Sequence, residues 1–188
     1  LINFPLEDEK SFEVLNSGRY AGIFQFEGYA LQSVTHQMKV HSFEDIAAIT
    51  ALARPGPLNS GGTTEYIKRH TGEAPVEYLH PLTEKITKVT NGVVVYQEQV
   101  MTIARDVGKL SWEDVSTLRK AMSKSYGKEY FDTFWERFKI GAAENGIKES
   151  QAQRIWDNIN TMGSWAFNRS HAIAYGMVSY WCCVLKSR

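Results

Sequence analysis

Between residues 115 and 128 the sequence carries four bases, Arg119, Lys120, Lys124 and Lys128, and no acid. Arg119 and Lys120 are adjacent, and Lys124 follows Lys120 by one helical turn. A basic cluster of this kind suits a polyphosphate or a nucleic-acid backbone, because guanidinium and ammonium groups offer charge-assisted hydrogen bonds to phosphate oxygens. Cations that complement the negative end of a helix dipole share the same spacing, so both readings stand at this level. A second concentration is Phe167-Asn168-Arg169-Ser170-His171, where an aromatic ring, an amide, a guanidinium, a hydroxyl and an imidazole meet at a helix start. Free amides at a helix N-terminus beside an Arg form an anion site, although Asn168 or Ser170 also serves as an N-cap.

The rest of the reactive inventory is sparse. There is no Gly-rich phosphate loop, no CxxC pair, no HExxH and no GxSxG, and the five histidines lack the i, i+4 spacing of a helical zinc site. Glu7, Asp8 and Glu9 read as solvated charges in the first turn of a surface helix. The chain therefore offers no self-contained catalytic residue set and no metal site of its own.

The elements that must position these residues are mainly helical. Apolar residues recur at i, i+3, i+4 and i+7, and that period predicts helices over 7–16, 27–38, 43–53, 64–70, 82–88, 97–107, 111–123, 128–145, 150–161 and 170–186. Ser42 with Asp45 three residues on predicts a capping box, and Ser111 and Ser150 are placed as N-caps. Residues 23–26 and the β-branched run Val93-Val94-Val95-Tyr96 read as short strands, the latter entered by a turn at Asn91-Gly92. Arg54-Pro55-Gly56-Pro57 reads as a stop, with a loop following over 58–64. Leu110, Val115, Leu118 and Met122 face the core, and Phe131, Phe134, Trp135 and Phe138 share a core stripe. The fold class expected is mainly α, with one or two short β segments.

At 188 residues and 43% hydrophobic, the chain buries a core without disulfide or metal support, and disorder is excluded. No apolar run reaches the roughly 18 residues of a membrane helix. Adjacent Cys182 and Cys183 do not suit a disulfide, which suggests a reducing compartment and a cytoplasmic location. Net charge is zero but segregated: residues 1–50 hold seven acids and three bases, while residues 169–188 hold three bases and no acid. A first residue of Leu, rather than Met, suggests a piece of a longer polypeptide.

Five strings resemble, in order, the bacterial DNA polymerase III α subunit family of C-family replicative polymerases: Phe24-Gln25-Phe26-Glu27, Ala53-Arg54-Pro55-Gly56-Pro57-Leu58, Val95-Tyr96-Gln97-Glu98-Gln99-Val100-Met101, Leu118-Arg119-Lys120-Ala121-Met122 and Phe167-Asn168-Arg169-Ser170-His171. The resemblance covers nearly the whole chain. It implies that residues 1–188 form one region, the polymerase fingers domain, with residues 1–25 at the junction with the palm, and with the palm and other domains outside this chain. It further implies that the unit binds the incoming deoxynucleoside triphosphate and the template or nascent base pair. Mg²⁺ then belongs to palm Asp residues outside the chain, so these residues alone do not perform two-metal phosphoryl transfer.

Carried over position by position, Arg119 and Lys120 match the family's basic pair on the fingers helix, with Lys124 following, which implies contact with the triphosphate. The family pattern is Arg-Arg-Ala-Met-Gly-Lys-Lys; here Lys120, Ser123 and Ser125 depart from it, and Lys120 keeps the charge without bidentate geometry. Asn168, Arg169, Ser170 and His171 match the Phe-Asn-Lys-Ser-His motif, implied to lie beside the nascent base pair or triphosphate. Arg54 and Tyr96, Gln97 and Glu98 resemble site walls, and a purely structural role fits them equally. The partners implied are primer-template DNA, dNTP and the palm, with other replisome subunits docking through regions not present and no membrane contact. The competing reading is a noncatalytic helical adaptor for nucleic acid or protein that retains the fingers fold. The two differ in whether Arg119, Lys120, Arg169 and His171 share one face, as the polymerase reading expects.

Overall fold

The computed structural model describes residues 1–188, which form two compact units. The first contains residues 1–74 and 169–188, and the second contains residues 75–168.

The first unit is built from α1 (Glu9–Asn16), α2 (Tyr29–Met38), α3 (Phe43–Leu52), α4 (Pro55–Ser60), α5 (Gly62–His70) and α12 (Arg169–Lys186). α3 is its axis: Phe43 and every residue from Asp45 to Leu52 is buried. A helix apolar on all sides needs neighbours on all sides, and α12 packs along it. The capping box is present, with Ser42 Oγ accepting from Asp45 N (3.3 Å) and Asp45 Oδ2 accepting from Ser42 N (3.0 Å). α1 is capped by Asp8, which accepts from Ser11 N and Oγ. Those hydrogen bonds, and then Arg188, hold the Asp8 carboxyl below its ordinary range. Tyr180 on α12 is buried against Phe12 and Phe43 (ring centroids 5.8 and 5.9 Å) and donates to the Pro5 carbonyl. Burial pushes the neighbouring Cys183 thiol up to about 12.

The second unit holds α6 (Pro81–Thr87), a 3₁₀ turn (Lys88–Thr90), α7 (Gln97–Asp106), α8 (Trp112–Lys124), α9 (Lys128–Asp132), α10 (Trp135–Glu144) and α11 (Glu149–Gly163). Val100, Ile103, Leu118, Phe138, Ile155, Trp156 and Ile159 are at most 1% exposed and form one continuous core. α10 approaches the 107–109 turn so closely that a Cβ on Gly141 would stand 1.8 Å from the Gly108 carbonyl oxygen.

The molecule is mainly α, as the periodicity predicts, and several local expectations are corrected. Residues 23–26 are not a strand. They form successive turns (Ile23 N to Tyr20 O, Phe26 N to Ile23 O) with Gln25 at φ 64°, which puts Ile23 and Phe26 both into the core. Residues 93–96 are extended and buried, but pair only through an isolated parallel bridge between Tyr96 and Phe167. The Gln99 side chain takes the Val95 and Tyr96 amides that a ladder would otherwise use. The Pro-Gly-Pro run starts α4 instead of ending helical structure: Pro55 occupies the first helical position, where a missing N–H loses nothing. The helix expected over 128–145 breaks between α9 and α10, where Thr133 N and Phe134 N bond three residues back and the Thr133 hydroxyl donates to Tyr130 O. Ser150 lies inside the first turn of α11, whose N-cap position is Lys148.

Candidate functional site

α8 carries the basic cluster. Ser111 Oγ accepts from Asp114 N to start the helix, Val115, Leu118, Ala121 and Met122 point into the core, and Arg119, Lys120 and Lys124 are exposed. The buried stripe fixes the rotation of the helix, so it also fixes which residues reach solvent. Arg119, Lys120 and Lys124 have no carboxylate partner, whereas Arg137 close by is paired with Asp114. Charges left unpaired on a fixed helix face remain available to an anion.

Residues 95–99 and 167–168 are far apart in sequence and are joined in the second unit. Gln97 N donates to Phe167 O and Phe167 N donates to Val95 O, both at 2.9 Å. Asn168 Nδ2 then reaches Glu98 Oε1 at 3.2 Å. Tyr96 is fully buried, Gln97 and Glu98 are half-buried, and Asn168 is exposed. Tyr96, Gln97, Glu98 and Asn168 are therefore one local constellation.

Gln99 fixes this constellation from below. Its Oε1 accepts from Val95 N (2.8 Å) and Tyr96 N (3.0 Å), while its Nε2 donates to Thr90 Oγ1 (2.7 Å) and Ile86 O (3.2 Å). Gln99 was not among the expected site residues. Its signal is a Gln at the third helical position, which reaches back to the cap amide as in a capping box.

The string 167–171 is divided by the architecture. Phe167 and Asn168 belong to the second unit, and Arg169, Ser170 and His171 open α12 in the first. Arg169 is half-buried and pairs with Glu44 on α3 (Nη2 to Oε1, 2.8 Å). Glu44 is a second residue that sequence reading missed, because nothing local links positions 44 and 169. Ser170 and His171 are exposed, and the His171 ring lies 4.0 Å from that of Tyr175 one turn on. Tyr175 in turn stands 5.5 Å from Phe24. Arg54 also lies in the first unit, as the N-cap residue of α4; its Nε donates to Ala51 O at 2.9 Å, and burial pulls its guanidinium below the ordinary value. No three His, Cys, Asp or Glu side chains are grouped to hold a metal ion.

Residues 1–146 match the family described as the bacterial DNA polymerase III alpha subunit finger domain. Over 99% of its length the chain is 40% identical to DNA polymerase III subunit alpha of Aquifex aeolicus, spanning 16% of that protein. The corresponding protein of Chlamydia trachomatis is 42% identical over 97% of the chain and 15% of its own length. That of Staphylococcus aureus is 40% identical over 97% of the chain and 17% of its own length. The chain thus spans about one-sixth of the curated relatives it matches.

Proposed function

The chain belongs to the bacterial DNA polymerase III alpha subunit finger-domain family, and from that premise we propose that it serves as the fingers portion of a DNA-directed DNA polymerase in replication. On this reading Arg119, Lys120 and Lys124 hold the triphosphate of the incoming dNTP, while Asn168, Arg169, Ser170 and His171 border the nascent base pair. Tyr96, Gln97, Glu98 and Arg54 wall the site. The observation that carries the reading is the exposed face of α8, where three cations without carboxylate partners stand on a helix held by a buried stripe.

Fixed cations stabilise the charge that develops on phosphate oxygens during phosphoryl transfer, and they need no rearrangement at the moment of reaction. Arg119 offers a planar fork for two oxygens, and Lys120 and Lys124 act as point charges. Arg169, already compensated by Glu44, is suited to positioning more than to neutralising phosphate. On this reading the Mg²⁺ of the reaction is held by palm carboxylates outside this chain. Primer-template DNA, dNTP, the palm and other replisome subunits are the partners on this reading, and the bacterial cytoplasm is its location. No helix is long and apolar enough to cross a membrane.

The test is Arg119→Ala in the full-length polymerase. Loss of a charged hydrogen bond to phosphate is expected to lower kcat/KM for dNTP by about tenfold or more, with Arg119→Lys in between. Unchanged nucleotide kinetics would remove Arg119 from the site.

A further inference from the structure

At the exit of α8 the chain passes through Ser125 (φ 53°), Tyr126 and Gly127 (φ 86°) before α9 begins at Lys128. Tyr126 is 50% exposed. Its ring is nevertheless braced: the Tyr130 ring packs against it edge-on at 5.1 Å, Tyr130 rests on Phe134 at 6.0 Å, and Lys124 Nζ stands 6.0 Å over the Tyr126 ring. Beneath the same turn lies a cavity of about 250 Å³, with buried Met122, Phe131 and Gly163 inside and exposed Ser125, Lys128 and Ser164 at its mouth.

A ligand that fits these features has flat apolar faces with polar edges and carries negative charge within reach of Lys128. Single-stranded DNA has all three properties, because its bases are free to leave the stack while its phosphates follow the basic surface. In a duplex the base faces are already occupied by stacking. An acidic peptide supplies the charge without the flat faces. The cavity is also smaller than the pockets of about 300–1,000 Å³ that enclose drug-sized ligands, which suits one base more than a whole nucleotide.

We propose that the α8–α9 turn and the cavity beneath it bind single-stranded DNA, with Tyr126 stacking on one base, the adjacent base entering the cavity and Lys128 contacting the phosphate between them. This surface adjoins the triphosphate contacts assigned to Arg119, Lys120 and Lys124, and its test reads Tyr126 and Lys128, which that assignment does not use.

The experiment uses the full-length polymerase and a short oligothymidylate carrying 5-iodouracil. Irradiation is expected to give adducts within residues 122–131, mapped by mass spectrometry. By fluorescence anisotropy, Tyr126→Ala is expected to weaken oligothymidylate binding about fivefold or more, and Tyr126→Phe to preserve it, since stacking needs the ring and not the hydroxyl. Lys128→Ala is expected to reduce the slope of log K against log salt by about 0.7, the value for one phosphate contact on a single strand. Adducts that map only outside 122–131, or a Tyr126→Ala affinity within about twofold of the native one, overturn the proposal. The Arg119→Ala nucleotide kinetics are read separately, so the failure of either assignment is distinguishable from failure of the other.

Discussion

Gln99 shows what a single buried amide decides. It is 5% exposed, and its side chain makes four hydrogen bonds, two of them to the backbone amides of Val95 and Tyr96. Because it satisfies the amides of Val95 and Tyr96, residues 93–96 can stay extended and buried without a neighbouring strand. Tyr96 and Phe167 then pair, and Asn168 is brought to Glu98. Replacing Gln99 by Leu keeps the approximate volume and leaves two buried N–H groups without acceptors. Each costs about 1–3 kcal/mol, so Gln99→Leu is expected to lower stability by about 2–6 kcal/mol. The checking measurement is urea denaturation, with a lower midpoint and an unchanged m-value. An unmoved midpoint would mean that those amides find another acceptor. The same scale separates two of the candidate arginines: Arg169 is matched to Glu44, whereas Arg119 has no carboxylate partner.

Among the elements, periodicity and caps located most of the helices, because a buried stripe and a Ser before it are local properties. α3 with Ser42 and Asp45, and α8 with Ser111, lie where their residues say. The misses have more than one cause. At 93–96 the Gln99 amide, three to four residues on, takes the place of a partner strand, and its only local signal is its place at the third helical position. The break between α9 and α10 goes with Asp132, whose carboxylate accepts from Trp156 Nε1 and Asn160 Nδ2 on α11. α4 was a misreading of a local rule, since Pro is forbidden inside a helix and welcome at its start. The basic face of α8 was legible from charge alone, but the juxtaposition of Glu98 and Asn168 was not. Helix approach brings its own prediction. Because a Cβ at Gly141 meets the Gly108 carbonyl at 1.8 Å and its carbon at 2.4 Å, both backbone atoms, no side-chain rotation relieves it. Gly141→Ala is therefore expected to force α10 away from the 107–109 turn and to destabilise by about 1–3 kcal/mol or more. Thermal unfolding checks this, and a native-like Tm would show that α10 shifts at little cost.

For the molecule as a whole, the chain order and the packing disagree in an instructive way. Residues 75–168 are continuous and own a complete core around Phe138 and Trp156. The other unit is assembled from residues 1–74 and a returning helix at 169–188. α3 is buried along nearly its whole length, and α12 supplies one wall: a Cβ at Gly176 would stand 3.6 Å from the Ala47 backbone, Ser179 Oγ donates to Phe24 O, and Tyr180 fills the space beside Phe12 and Phe43. Without α12, α3 exposes a large apolar surface to water, and a segment of that length has little else to bury it against. A polypeptide of residues 75–168 is therefore expected to unfold cooperatively by circular dichroism. Residues 1–74 alone are expected to show no cooperative transition and to bind a hydrophobic dye. Adding a synthetic 169–188 peptide should restore the transition and release the dye, because the peptide returns the missing wall. Cooperative melting of 1–74 by itself would show that α1, α2 and α5 cover α3 unaided.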